Sequence, residues 1–189
     1  KGGYVNGVPN GKGQFSSDKG YIYIGNFVDF KFDGSGTLKL TNQAKYTGEF
    51  KNGLFHGNGI YEWPDGQKHI GEYLNGKRNG QGKMSWPDGA TYIGIYKDDL
   101  KHGKGIQKWA NGSIYDGEYL NGLKHGKANV ITKSKDKYVG EFEKDNFVKG
   151  IIYFANGNVA KGEWDKNFKQ QGKGEFIWKS GTKYIGDFK

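Results

Sequence analysis

Cysteine is absent from the 189 residues, proline occurs three times and methionine once. Without cysteine there is no disulfide framework and no thiolate zinc site. So little proline excludes a polyproline linker. No apolar run approaches the ~18 residues of a membrane-spanning helix. The opening residues carry no signal-peptide pattern, because Lys1 leads and no apolar core follows.

What is present is glycine, aromatic residues and positive charge. Glycine supplies 34 residues, and Phe, Tyr and Trp supply 12, 13 and 5. Disordered chains are depleted in aromatics, so this composition belongs to a folded chain. Glycine does not recur at every third residue, which excludes collagen. The formal charge is +9 and the isoelectric point is near 9.4.

The glycines and aromatics repeat in phase. Tyr-x-Gly-x-aromatic reads Tyr23-Ile-Gly25-Asn-Phe27, Tyr46-Thr-Gly48-Glu-Phe50, Tyr92-Ile-Gly94-Ile-Tyr96 and Tyr115-Asp-Gly117-Glu-Tyr119. It continues at Tyr138, Gly140 and Phe142 and at Tyr184, Gly186 and Phe188. His69 and Ala160 replace the leading tyrosine in two copies. Successive central glycines are 23 residues apart, except that Gly140 to Gly162 is one shorter and Gly162 to Gly186 one longer. A second marker, Gly-x-Gly, keeps the same beat at Gly34/Gly36, Gly57/Gly59, Gly80/Gly82 and Gly103/Gly105. Its slot at Lys149 is broken, so the unit around 143–162 is degenerate and invites a kink or a specialised contact.

Such a period means a repeat architecture. Tyr46, Gly48 and Phe50 share a strand parity, as do Gly57, Gly59, Tyr61 and Trp63. Between them stand Asn52-Gly53 and Pro64-Asp65-Gly66, both turn chemistry. Each repeat therefore makes two short strands and two turns, and no segment shows helical periodicity. The expected fold is all-β: a single-layer antiparallel meander of stacked hairpins across residues 1–189. At ~4.8 Å per strand, eight repeats would span roughly 75–80 Å. Rings are expected to lie over the bare glycines, giving a thin core and a curled face with an aromatic groove. Because Gly2 falls in a central-glycine slot, further chain is expected at both ends.

The pattern Y-x-G-x-[FWY], N-G, H-G-x-G, W-x-D-G resembles the MORN (membrane occupation and recognition nexus) repeat over the whole chain. His56-Gly57-Asn58-Gly59 and Tyr115-Asp116-Gly117-Glu118-Tyr119 carry the likeness most closely. The resemblance implies a β-hairpin array without catalysis. It implies settings such as cytoskeletal scaffolds, axonemal spokes, membrane junctions or a myosin adaptor. It also implies that such arrays can precede the catalytic domain of a lipid kinase or a methyltransferase.

The residues that could carry chemistry read better as structure. His56, His102 and His125 share one slot, but equivalent slots lie ~10 Å apart, too far for one metal. Glu49, Glu72, Glu118, Glu141 and Glu163 recur on the face opposite the rings, where a solvated row with lysine partners is expected. No nucleophile, base and orienting residue can be assembled, and no Gly-Lys-Ser/Thr completes a phosphate loop. An enzyme is not expected, nor is any cofactor or metal.

The leading expectation is a scaffold of the cytoskeleton or cilium that holds a partner peptide or helix in the aromatic groove. Tyr61, Trp63, Trp86, Trp109, Tyr153 and Trp178 are the expected groove residues. The alternative is a peripheral membrane module, with a basic rim of Lys77, Lys101, Lys124 and Lys127 facing anionic phospholipid. A third is the regulatory part of a larger enzyme. Nucleic acid ranks below these, since packing already accounts for the aromatics. Unpaired terminal strands suggest a homodimer through a terminal repeat. Frequent Lys, Asn and Ile suggest an AT-rich genome, such as that of a ciliate or apicomplexan parasite, which leans the scaffold toward the cytoskeleton.

Overall fold

The computed structural model describes residues 2–189, and every regular element among them is a β-strand. The chain divides into two compact units, residues 1–100 and 101–189. The first holds β1 (Gly2–Val5), β2 (Val8–Ser16), β3 (Ile22–Val28), β4 (Lys31–Lys39), β5 (Lys45–Lys51), β6 (Leu54–Glu62), β7 (Lys68–Leu74), β8 (Lys77–Ser85) and β9 (Thr91–Lys97). With the second come β10 (Leu100–Lys108), β11 (Ile114–Leu120), β12 (Leu123–Ile131), β13 (Lys137–Glu143), β14 (Asn146–Tyr153), β15 (Val159–Trp164), β16 (Gln170–Ile177) and β17 (Lys183–Phe188). Within each unit every strand pairs antiparallel with the next in sequence, so the fold is the expected hairpin meander.

Two turn types alternate, each following from its residues. Asn52-Gly53 has φ of +52° and +84°, the mirror-image turn whose twist matches that of the flanking strands. Asn75-Gly76 and Asn121-Gly122 repeat it. In the other turn the Trp63 carbonyl accepts the Gly66 N–H at 3.0 Å, and the Asp65 carboxylate accepts the Gln67 N–H at 3.0 Å.

Rings over glycines make the core. Tyr46 opposes Tyr61 and Gly48 opposes Gly59, so all four share one face. The Tyr46 ring covers Gly59, where any Cβ would collide with it. Its hydroxyl donates to the Glu49 carbonyl at 2.9 Å. Tyr23, Tyr92 and Tyr115 donate in the same way to the carbonyls of Asn26, Ile95 and Glu118. Phe50 meets Tyr46 edge-on at 5.1 Å, and Phe55 stacks on Tyr46 at 3.9 Å. The four tyrosines are completely buried, so one sheet layer encloses its own core.

The degenerate unit shows where its residue is missing. In β5–β6, Gly48 opposes Gly59 and Glu49 opposes His56, leaving Gly57 and Asn58 as a bulge. In β13–β14, Gly140 opposes Gly150, Glu141 opposes Lys149 and Phe142 opposes Phe147, leaving Val148 alone. The bulge is one residue shorter there. The residue returns between β15 and β16, where a longer loop, 165–169, replaces the Asn-Gly turn.

Candidate functional site

In β4, β6, β8, β12 and β14 the second residue projects from the ring-bearing face: Phe32, Phe55, Arg78, Lys124 and Phe147. Lys101 holds the same place in β10 and lies over a ring. Phe32 and Phe55 stack on their tyrosines at 3.8 and 3.9 Å. The cations take the same position over rings. The Arg78 guanidinium lies 5.0 Å from the Tyr96 centroid and donates from Nε to Asp99 Oδ1 at 2.9 Å. Lys101 lies 5.5 Å from the Tyr119 centroid and donates to Gln107 Oε1 at 2.6 Å. Lys124 lies 5.3 Å from Trp109 and 5.5 Å from Tyr115.

Around Lys124 the second unit opens a groove of ≈ 430 Å³. Its walls include Trp109, Tyr138, Phe147 and Phe168, with Asp145 and Asp165 beside them. The shortened bulge and the longer loop both contribute. Phe168 enters from the loop with φ +62°, is 48% exposed, and meets Tyr138 edge-on at 5.6 Å. Phe147 packs on Tyr138 at 5.4 Å and on Trp164 at 4.8 Å. Burial raises the Tyr138 phenol above its ordinary value, and Asp136 adds to the effect. The Asp165 carboxyl lies below the usual carboxylate range, first because the Lys169 N–H bonds to it. The groove is thus walled by rings, ringed by both charge signs, and open to solvent.

The expected groove residues do not converge on one site. Trp109 lines this groove. Tyr61 and Trp63 pack together at 4.4 Å in the first unit. Trp86 begins a turn that returns to Ala90. Trp178 packs edge-on against Phe176 at 4.9 Å. Tyr153 stands on the opposite face: Ile152, not Tyr153, opposes Tyr138, because the short bulge advances the phase by one residue. Tyr138, Phe147 and Phe168 were missed. The one-residue lengthening before Gly172 was the signal for Phe168.

The four rim lysines also separate. Lys101 and Lys124 lie over rings on the core-bearing face, drawn there by the aromatic quadrupoles. Lys77 pairs with Asp98 at 3.5 Å. Lys127 is on the other face, opposite Glu141. On that face Lys104 opposes Glu118, and Lys149 pairs with Glu163 at 3.1 Å, so the signs alternate. The glutamates are not uniformly solvated partners of lysine: Glu49 and Glu72 accept backbone N–H groups of their own bulges at 3.0 and 2.9 Å.

A family model described as the MORN repeat matches residues 1–20, 46–68, 69–91, 92–114, 115–128, 138–159 and 161–183. Among curated proteins none matches the chain. Several solved structures are similar in backbone trace. One is the TCP domain of SAS-4 (dCPAP) from Drosophila melanogaster, in complex with a proline-rich motif of Ana2 (dSTIL). It is 12% identical, with a TM-score of 0.47 and coverage of 92% of this chain and 88% of that one. Another is the G-box domain of the microcephaly protein CPAP, 12% identical, with a TM-score of 0.45 and coverage of 93% and 97%. A third is the TCP10 domain of Danio rerio CPAP with a peptide of Danio rerio STIL, 13% identical, with a TM-score of 0.36 and coverage of 95% and 91%.

Proposed function

The chain belongs to the MORN repeat family, and from that premise we propose that it is a non-catalytic scaffold holding a partner protein by a segment laid in the ring-walled groove of residues 101–189. The observation that carries this reading is a groove that holds exposed rings. Trp109 and Phe168 are 36% and 48% exposed, whereas Trp63 and Trp86, which fill the Trp109 slot in their own repeats, are half-buried. Rigid aromatic residues with exposed faces are the side chains that dominate binding at protein interfaces. The groove is of a size for a few side chains of an extended segment.

The cytoskeleton, and the cilium within it, is the setting that fits a scaffold of this composition. The membrane reading has less support: alternating Lys and Glu on the face opposite the rings offers no continuous basic surface to anionic lipid.

Affinity capture from extract tests the reading, with wild type, Trp109→Ala and Phe168→Ser as baits. Near-wild-type unfolding midpoints for both variants establish that their fold is intact. A protein captured by wild type, lost with both variants and shown by cross-linking to touch the groove supports the scaffold. Capture that is indifferent to both variants overturns the groove as the binding surface.

A further inference from the structure

We propose that the segment seated in this groove carries a carboxylate that pairs with Lys124, next to a bulky apolar side chain that enters among Trp109, Tyr138 and Phe168. The inference rests on the groove reading above and names the chemistry of its occupant.

The fold supplies its own comparison. Arg78 and Lys124 occupy the same slot of their repeats, and Asp99 and Asp145 occupy the same turn position before the facing strand. Asp99 accepts the Arg78 backbone N–H at 3.0 Å and also its Nε at 2.9 Å, so that cation is neutralised. Asp145 accepts only the Lys124 backbone N–H, at 2.9 Å. Among the described residues the Lys124 ammonium forms no ion pair. It is held over Trp109 and Tyr115, and it borders the groove. A ring quadrupole attracts an ammonium less than a carboxylate does, so the charge remains available to an incoming anion.

The groove also selects among anions. Asp145 and Asp165 stand on its wall, and backbone N–H groups hold Asp165 in its charged form. Lys124 and Lys166 set two positive charges against these two negative ones, a balance that disfavours a multiply charged phosphate or lipid headgroup. One carboxylate against one ammonium is tolerated. The exposed rings beside Lys124 then require apolar surface on the same segment. An acidic residue adjacent to Leu, Phe or Trp in an extended stretch of a partner protein meets both demands.

The slot tolerates an uncharged side chain, since Phe32, Phe55 and Phe147 fill it elsewhere. Lys124→Met therefore removes the charge while keeping length and ring contact, and Lys124→Arg keeps the charge. Random phage-displayed peptides are selected on the 189-residue chain, and those that lose binding to Trp109→Ala are kept. The expected result is a shared Asp or Glu next to a bulky apolar residue. Affinity should fall about tenfold on Lys124→Met, or on Asp→Asn in the peptide, and hold on Lys124→Arg. Trp109-dependent peptides that lack an acidic residue, or that bind Lys124→Met equally well, overturn the inference and leave the groove standing. Absence of any Trp109-dependent peptide overturns the groove with it. Sedimentation with phosphatidylserine vesicles that depends on Lys124 overturns it in favour of a lipid surface.

Discussion

The Glu49 carboxylate accepts the backbone N–H of Asn58 at 3.0 Å, directly above Gly57. Gly57 has φ +54°, and a Cβ built on it would stand 2.5 Å from Glu49 Cδ. The bulge therefore needs glycine twice over, for its left-handed backbone and for the carboxylate that caps it. Gly57→Ala should destabilise the chain by about 1–3 kcal/mol, combining the backbone cost with loss of the cap. Val148→Ala, in the short bulge, meets neither constraint and should cost less than about 1 kcal/mol. Urea midpoints for the two variants check the contrast, and equal losses would refute it.

The buried tyrosines make the fold sensitive to alkali. Burial raises Tyr23, Tyr46 and Tyr96 from 10.0 to about 12, and pushes Tyr73, Tyr92 and Tyr115 higher still. An unfolded tyrosine ionises near 10 while the folded one stays neutral. The stabilising contribution is thus complete below pH 10 and is lost as pH climbs toward 12 and beyond. Denaturation midpoints should hold level to about pH 10 and then fall. Tyrosinate absorbance should rise together with unfolding. Ionisation well before unfolding would show that these hydroxyls reach solvent.

Much of this fold was legible because each repeat states its own register. Tyr46, Gly48 and Phe50 fix one face, Asn52-Gly53 fixes the turn, and Gly59 marks where the next ring lies. The site was less legible, for two physical reasons. By the 23-residue period Tyr153 stands in the Tyr61 slot, but the missing bulge residue shifts the phase and turns it to the other face. Lys101 and Lys124 read as rim charges because a lysine in sequence gives no sign of lying over a ring. The 23-residue period already puts them in one slot with Phe32 and Phe55; that the slot faces rings becomes visible only once the strands are in register.

One hairpin carries avoidable strain. Phe30 takes the second place of its turn with φ +65°, where Gly53, Gly76 and Gly122 stand in other repeats and Asp99 and Asp145 in two more, and its ring is 57% exposed. A left-handed backbone costs a bulky L-residue about 1–2 kcal/mol. Its contact with Phe15 is edge-on at 6.0 Å, worth about 0.5 kcal/mol at an exposed site. Relief outweighs the lost contact, so Phe30→Gly should raise the unfolding midpoint. A lower midpoint would show that the Phe30 ring anchors the cluster with Phe15.

His69 occupies a tyrosine slot and gives the first unit an acid-sensitive point. It is completely buried, with Nδ1 2.8 Å from the Tyr73 hydroxyl. The ring is too short to reach the carbonyl three residues on, as the tyrosines do. Burial lowers its pKa from 6.5 to about 4, and the nearby Arg78 acts in the same direction. A histidine depressed by folding contributes stability that is present above pH 6.5 and lost as pH falls through 4. His69→Tyr should remove that loss, because the phenol is neutral throughout the range. The new ring has the same glycine floor, Gly71 and Gly82, and its hydroxyl should reach the Glu72 carbonyl as Tyr46 reaches that of Glu49. Midpoints measured from pH 7 to pH 4 should therefore decline less in His69→Tyr than in wild type. Parallel declines would place the acid-sensitive group elsewhere, and a lower midpoint at pH 7 would show that the His69–Tyr73 bond stabilises the core more than the repeat's own tyrosine would.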